Sequence, residues 1–95
     1  MSDDKVYVGD VGTVILVDTL SDITSSTVRK ILARKPNGIE IEWAAAVDST
    51  TKLSYTTQDG DLDTVGKWML QAYVELPSGK WYGETAHFTV HERFG

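Results

Sequence analysis

An all-β fold is the fold class that this sequence predicts, and three observations support it. Two turns share the same chemistry, at residues 35–38 and 76–79, with Pro second and Gly fourth in each. The segments that flank both turns alternate apolar and polar residues with a period of two. Apolar residues nowhere recur at helical spacing over 11 or more positions, so only residues 21–23 are expected to make a short helical turn.

The first turn, Lys35-Pro36-Asn37-Gly38, predicts a hairpin with a three-residue loop. Pro presets φ at the second position and Gly takes the left-handed conformation that closes the loop with a bulge. Counting outward from this turn gives the cross-strand partners on the apolar and the polar face, which are Ala33 with Ile41, Ile31 with Trp43, Arg29 with Ala45, Thr27 with Val47, and Arg34 with Glu40.

The second turn, Leu76-Pro77-Ser78-Gly79, predicts the same loop with Leu76 opposite Lys80. One face of this hairpin is then apolar, and the other is a mixed solvent surface. The apolar face pairs Val74 with Tyr82, Leu70 with Ala86, Trp68 with Phe88 and Gly66 with Val90. The mixed face pairs Glu75 with Trp81, Tyr73 with Gly83, Gln71 with Thr85 and Met69 with His87.

Three further segments read as strands, at residues 6–8, 13–17 and 52–56, and bring the total to seven. Seven short strands favour an immunoglobulin-like or fibronectin-III-like β-sandwich. The hairpins place strands three, four, six and seven in one sheet, and strands one, two and five in the other. The second sheet is expected to contribute Val14, Leu16, Leu53 and Tyr55 to the core.

Length and composition limit what the chain can be. With 95 residues it can build one core, so we expect a single domain over residues 1–95 with residues 1–5 flexible. A net charge of −5 argues against nucleic acid as a partner. No signal peptide and no membrane span is recognisable. The sequence contains no cysteine and implies no cofactor.

A resemblance to a known family extends over nearly the whole chain. The segments that carry it are Val8-Gly9-Asp10-Val11-Gly12-Thr13, Arg34-Lys35-Pro36-Asn37-Gly38, Asp61-Leu62-Asp63 with Gly66-Lys67-Trp68, and Gly79-Lys80-Trp81 with Phe88-Thr89-Val90. Together they resemble the immunoglobulin-like domains of phage tail and baseplate proteins, notably the N-terminal domain of baseplate upper proteins. The resemblance implies a non-enzymatic virion protein, made in the host cytoplasm, that docks on other virion proteins or on copies of itself.

Leu62 and Trp68 match the corner that precedes strand F in immunoglobulin-like domains, where the aromatic residue is usually Tyr. An indole donates only through its ring N–H. The hydrogen bond of the corner is therefore expected to be altered in this chain.

Two groups of polar side chains have some features of metal sites, but we interpret both as ordinary surface. Asp59, Asp61 and Asp63 have the alternate spacing with which a Ca²⁺ loop begins, but the positions that should hold Gly and Glu are wrong. They are at most a minor metal candidate. His87 and His91 are four residues apart on one strand, about 13 Å, too far to bind one metal ion together.

The outward side of the last hairpin is the candidate interface. Its residues are Met69, Tyr73, Trp81, Glu75 and His87, a mixture that includes the aromatic and Met side chains favoured at protein interfaces. An alternative function is a carbohydrate-binding or host-adhesion module that stacks sugars on Trp81, Tyr82 and Tyr73. An uncovered first or fourth strand could also accept a strand of a neighbouring chain by edge pairing.

Overall fold

The computed structural model describes residues 5–94, which form eight strands and no helix. The strands are β1 (Val6–Tyr7), β2 (Val14–Asp18), β3 (Val28–Arg34), β4 (Glu40–Ala44), β5 (Ala46–Val47), β6 (Lys52–Thr56), β7 (Gly66–Leu76) and β8 (Gly79–His91). The all-β prediction is confirmed. The flexibility expected of residues 1–5 concerns a segment that, apart from Lys5, lies outside the described residues.

The strands form a five-stranded sheet ordered β1-β8-β7-β3-β4 and a three-stranded sheet ordered β2-β6-β5. The two sheets pack face to face, with β2 against β7 and β6 against β3. The prediction that the first strand belongs to the smaller sheet was wrong. β1 runs parallel to the end of β8, with Val6 opposite Val90 and the Val8 N–H donating to the His91 carbonyl.

The count of seven strands was also wrong, because the fourth strand changes sheets. The β3–β4 ladder ends where the Ala45 N–H donates to the Arg29 carbonyl. The next two residues, β5, pair with β6 in the smaller sheet, with Val47 opposite Leu53. The predicted pairing of Thr27 with Val47 therefore does not form, and one predicted strand becomes two.

The first hairpin has the predicted turn and register. Gly38 has a φ of 88°, and its N–H donates to the Lys35 carbonyl at 2.9 Å. Ile31 lies opposite Trp43, and Arg34 lies opposite Glu40. The register predicted from the Pro-Asn-Gly turn is therefore confirmed.

The second hairpin has a shorter loop than predicted. Leu76 pairs directly with Gly79, so the loop has two residues and the register near the turn is shifted by one. A bulge opposite Ala72, at Gly83 and Glu84, absorbs the shift, and the predicted pairs from Gln71 with Thr85 onward are correct. Between the turn and the bulge every β8 side chain lies on the face opposite to the predicted one.

The core lies between the sheets and is centred on a row of aromatic rings. Tyr55 stacks on Trp43 at 4.8 Å between centroids, Trp43 on Trp68 at 6.1 Å, and Phe88 is tilted against Trp68 at 5.7 Å. Trp68 is fully buried and its indole N–H donates to the Thr64 carbonyl at 2.9 Å. As expected for Trp in place of Tyr, the donor of this hydrogen bond is an indole N–H and not a phenol hydroxyl.

β2 presents the opposite face to the core from the one predicted. Ile15 and Val17 are buried, whereas Val14 and Leu16 are 58% and 52% exposed. Because consecutive residues of β2 are aliphatic, both faces of the strand are apolar. The sequence pattern therefore did not reveal which face points inward. The expected helical turn at residues 21–23 is an irregular segment that buries Ile23 completely.

Candidate functional site

The candidate site is the outer face, the side of the five-stranded sheet that is turned away from the smaller sheet. Alternation along each strand decides which side chains it carries. Its central members are Leu32 from β3, Met69, Gln71, Tyr73 and Glu75 from β7, and Tyr82, Thr85 and His87 from β8. Because the core occupies the other side of the same strands, this face is built on a rigid support.

Four of the five predicted interface residues lie on the outer face. Met69 and His87 are direct cross-strand partners, and the Tyr73 hydroxyl donates to Glu75 Oε2 at 2.7 Å. The fifth, Trp81, does not, because the shifted register places it opposite Val74 on the inner side of the sheet. That part of the predicted interface was wrong.

Tyr82 takes the position opposite Tyr73 that was predicted for Gly83, and sequence reasoning missed it. It lies opposite Tyr73 and is 65% exposed. Gly83 in mid-strand was the available signal, since an isolated Gly in a strand often marks a bulge that reverses the faces. The stacking platform of Trp81, Tyr82 and Tyr73 is also wrong, because Trp81 and Tyr82 point to opposite faces.

The two tyrosines form the most prominent feature of the outer face. Their rings are 5.0 Å apart between centroids and tilted by 49°. The hydrogen bond to Glu75, followed by burial, raises the pKa of Tyr73 to about 12, so this phenol stays neutral at physiological pH. A neutral aromatic pair offers apolar area together with hydroxyl groups that can donate and accept hydrogen bonds.

A shallow depression of about 140 Å³ lies beside this pair. It is lined by residues of four strands, including Leu32, Glu40, Met69, Gln71 and Thr85. On the side of β4 it is bordered by two exposed ion pairs, Arg34 with Glu40 at 2.6 Å and Lys30 with Glu42 at 3.2 Å. Such pairs add little to stability. Within each pair the two charges offset each other, so the pairs add no net charge to the face.

The outer face is almost neutral, although the chain carries a net charge of −5. The sheet register places seven side chains of Lys, Arg or Glu on it. These are four basic residues, Lys30, Arg34, Lys67 and Lys80, and three acidic ones, Glu40, Glu42 and Glu75. The acidic excess of the chain therefore lies on other surfaces.

Two of the three aspartates of the loop before β7 make side-chain contacts within the fold. Asp61 accepts hydrogen bonds from the Tyr55 hydroxyl and the Gln58 N–H, while Asp59 is exposed in the turn. Asp63 forms an ion pair with Lys35 at 2.9 Å, and this contact lowers the pKa of Asp63. Within residues 5–94, no three His, Asp or Glu side chains come together as a group that could hold a metal ion.

A helix with the length and apolarity that a membrane span needs is not found among the described residues.

The comparisons with known proteins concern the fold first. No protein-family model matches the chain, and no curated protein sequence matches it either. A solved structure does match, that of CopC from Methylosinus trichosporium OB3b. The two are 17% identical and superpose with a TM-score of 0.61, over 93% of this chain and 84% of CopC. The chain is thus similar in architecture to CopC, and at this identity the likeness shows the fold alone.

This comparison corrects the expectation of a phage virion protein. The fold is shared with CopC, a bacterial protein, and neither sequence comparison connects the chain to a phage tail or baseplate domain. The segments quoted for that resemblance are turns and strand ends, which many two-sheet β proteins share. They were therefore not specific enough to carry the function.

Proposed function

We propose that this domain is a non-catalytic binding protein that associates with a second copy of itself through the outer face. The observation that carries the proposal is the ring pair of Tyr73 and Tyr82 on a face of nearly neutral net charge, with Tyr82 65% exposed. Aromatic side chains at the centre of a face and charges at its rim are the usual composition of protein interfaces.

The choice of a second copy follows from shape and charge. In a two-fold dimer the same patch serves both partners, so a projection and a recess on one face complement each other. Tyr82 is the projection, and the depression between Leu32 and Met69 is the recess. The near neutrality of the outer face lets two chains of net charge −5 approach there with the least repulsion.

An immunoglobulin-like arrangement of the strands is part of the same proposal. The sheet orders β1-β8-β7-β3-β4 and β2-β6-β5 support it, as do the Leu62 and Trp68 corner and the fold shared with CopC. In such domains a rigid sandwich presents flat sheet faces and strand edges to other chains.

Sedimentation equilibrium across a concentration series from roughly 5 μM to 1 mM tests the association. We expect a monomer–dimer equilibrium for the unmodified chain, and a dissociation constant at least tenfold higher, a change of about 1.4 kcal/mol, for Tyr82→Ser. Val14→Ser is the matched control, because Val14 is 58% exposed on the smaller sheet. A chain that stays monomeric at 1 mM, or a dimer that Val14→Ser weakens as much as Tyr82→Ser, contradicts the proposal.

A further inference from the structure

The flank of the sandwich beside β2 is open, and it is a surface other than the outer face. β2 is the first strand of its sheet, so no strand among the described residues pairs with its other edge. It packs against β7, and β8 extends one strand further out beneath that free edge. We call the free edge of β2 together with the inner side of β8 the open flank.

The free edge of β2 presents unpaired backbone groups in strand geometry. The Thr57 N–H donates to the Thr13 carbonyl at one end of the ladder, and the Thr19 N–H donates to the Thr51 carbonyl at the other. Since bonding alternates along an antiparallel ladder, the odd residues of β2 face β6. The N–H and C=O groups of Val14, Leu16 and Asp18 therefore point away from the sheet and can pair with an added strand.

The inner side of β8 beneath this edge is apolar and incompletely covered. Trp81 is 47% exposed, Ala86 is exposed, and Phe88 is half-buried against Trp68. At the Trp81 end an apolar groove of about 350 Å³ opens between the hairpin and the segment after β2, lined by Ile23 and Val74 among others. Sheets pack about 10 Å apart and strands about 4.8 Å apart. One added strand on β2 would thus lie directly over β8.

The same geometry excludes a second copy whose β2 pairs antiparallel with this edge. A second β2 pairing antiparallel along the edge brings its own β7 beneath it, because β2 and β7 pack together. That β7 would occupy the place already taken by β8 of the first copy. A single extended segment has no such second layer and fits.

The charges around the open flank specify the end of that segment that lies beside Asp18. Asp18 ends β2, Asp22 lies in the segment that borders the groove, and Glu84 lies in the bulge of β8, and all three are exposed. Their one close cationic neighbour in the ladder is Lys52, opposite Asp18. An acidic rim on a chain of net charge −5 attracts Lys and Arg.

We propose that the open flank binds an extended segment of another protein as an added strand on β2, with apolar residues in alternation and basic residues at the end beside Asp18. Backbone hydrogen bonds to Val14, Leu16 and Asp18 align the segment. Its inward side chains cover Trp81 and Ala86. This inference does not depend on the proposed association through the outer face, because the added strand bonds to the backbone of β2. Of the outer-face residues named above, Tyr82 alone also lines the groove.

The probe is the synthetic peptide KKTVTITVKK, added to the intact protein. We expect at least tenfold slower hydrogen exchange at the amides of Val14, Leu16 and Asp18, and a blue shift of tryptophan emission, because Trp81 is half exposed while Trp43 and Trp68 are buried. The same peptide N-methylated at alternate residues should have neither effect. The peptide EETVTITVEE should bind at least tenfold more weakly at low salt.

A matched protein variant is Leu16→Pro. The Leu16 N–H points away from β6, so proline removes an outward donor and is tolerated at a sheet edge. We expect the variant to fold, as judged by circular dichroism. The peptide should no longer slow hydrogen exchange at the β2 amides of this variant. If it does not fold, the charge reversal Glu84→Lys replaces it and should reduce the preference for KKTVTITVKK over EETVTITVEE.

Fusing the peptide to the protein tests the proposal even if the free peptide has low affinity. Fused after residue 95 through a flexible Gly/Ser linker, the peptide reaches an effective concentration on the order of 1 mM. Unchanged exchange at the β2 amides in the fused protein would overturn the proposal, as would protection that appears at the β4 edge instead. Protection of β2 without any peptide, accompanied by a doubled mass, would assign the flank to a second copy and would also overturn it.

Discussion

Replacing Trp68 by Phe removes one hydrogen bond and part of one ring from the centre of the core. The side chain is completely buried, and its indole N–H donates to the Thr64 carbonyl at 2.9 Å. The loss leaves that half-buried carbonyl without its partner, at a cost of about 1–2 kcal/mol. The smaller ring leaves a cavity between Trp43 and Phe88 that costs about 1–2 kcal/mol more.

The free energy of unfolding should therefore fall by about 2–4 kcal/mol, which lowers Tm by roughly 10–25 °C in a domain of this size. Urea titration followed by far-ultraviolet circular dichroism is the assay, because tryptophan emission itself changes with the substitution. Trp81→Phe is the control. Trp81 is 47% exposed, so we expect it to lose less than about 1 kcal/mol. Equal losses for the two variants would refute the assignment of Trp68 as the centre of the core.

Three further predictions use the same unfolding measurement. Gly66→Ala should lose about 1–3 kcal/mol, because φ is 131° and a Cβ would lie 2.7 Å from Pro36 Cγ; an unchanged midpoint would contradict that contact. Ile15→Ala should lose about 2–4 kcal/mol and Leu16→Ala less than about 1, and the reverse order would mean that β2 turns its other face inward. The ion pair lowers the folded-state pKa of Asp63 below 3.8, so its stabilisation is present above that pH and lost as pH falls through the folded value; the gap between the unmodified chain and Asp63→Asn should close in acid.

The two hairpin turns have the same pattern of Pro and Gly, yet one hairpin was predicted correctly and the other only in part. At Lys35-Pro36-Asn37-Gly38 the left-handed Gly38 closes the expected three-residue loop. At the second turn Gly79 has a φ of 157°, which is nearly extended, and it starts β8. Both turns have Pro second and Gly fourth, so local preference permits either loop and the packing of the sheet selects one.

The residues of the candidate site were predicted correctly only where the register of β7 and β8 was predicted correctly. Met69 and His87 lie beyond the bulge and were placed on the correct face, whereas Trp81 and Tyr82 lie before it and were exchanged. A shift of one residue reverses every side chain in a strand. The outer face could be located from sequence, but its most exposed aromatic residue could not.

Properties that depend on a residue and its close neighbours could be read from the sequence itself. They are the all-β class, the Pro36 and Gly38 turn, the strand at residues 52–56 and the acidic balance of the chain. Alternation with a period of two and the φ values that Pro and Gly permit are local constraints, and they act before the chain has folded.

The tertiary structure decided which face of β2 points inward, which sheet receives β1, and where β4 gives way to β5. In each case two similar apolar surfaces could be buried. Which of them is buried depends on packing against a sheet whose strands are distant in sequence. Ile15 and Leu16 are equally good core residues by composition, and only the position of β7 beneath β2 makes one buried and the other exposed. The open flank has the same origin, because it exists only where two sheets of unequal width meet.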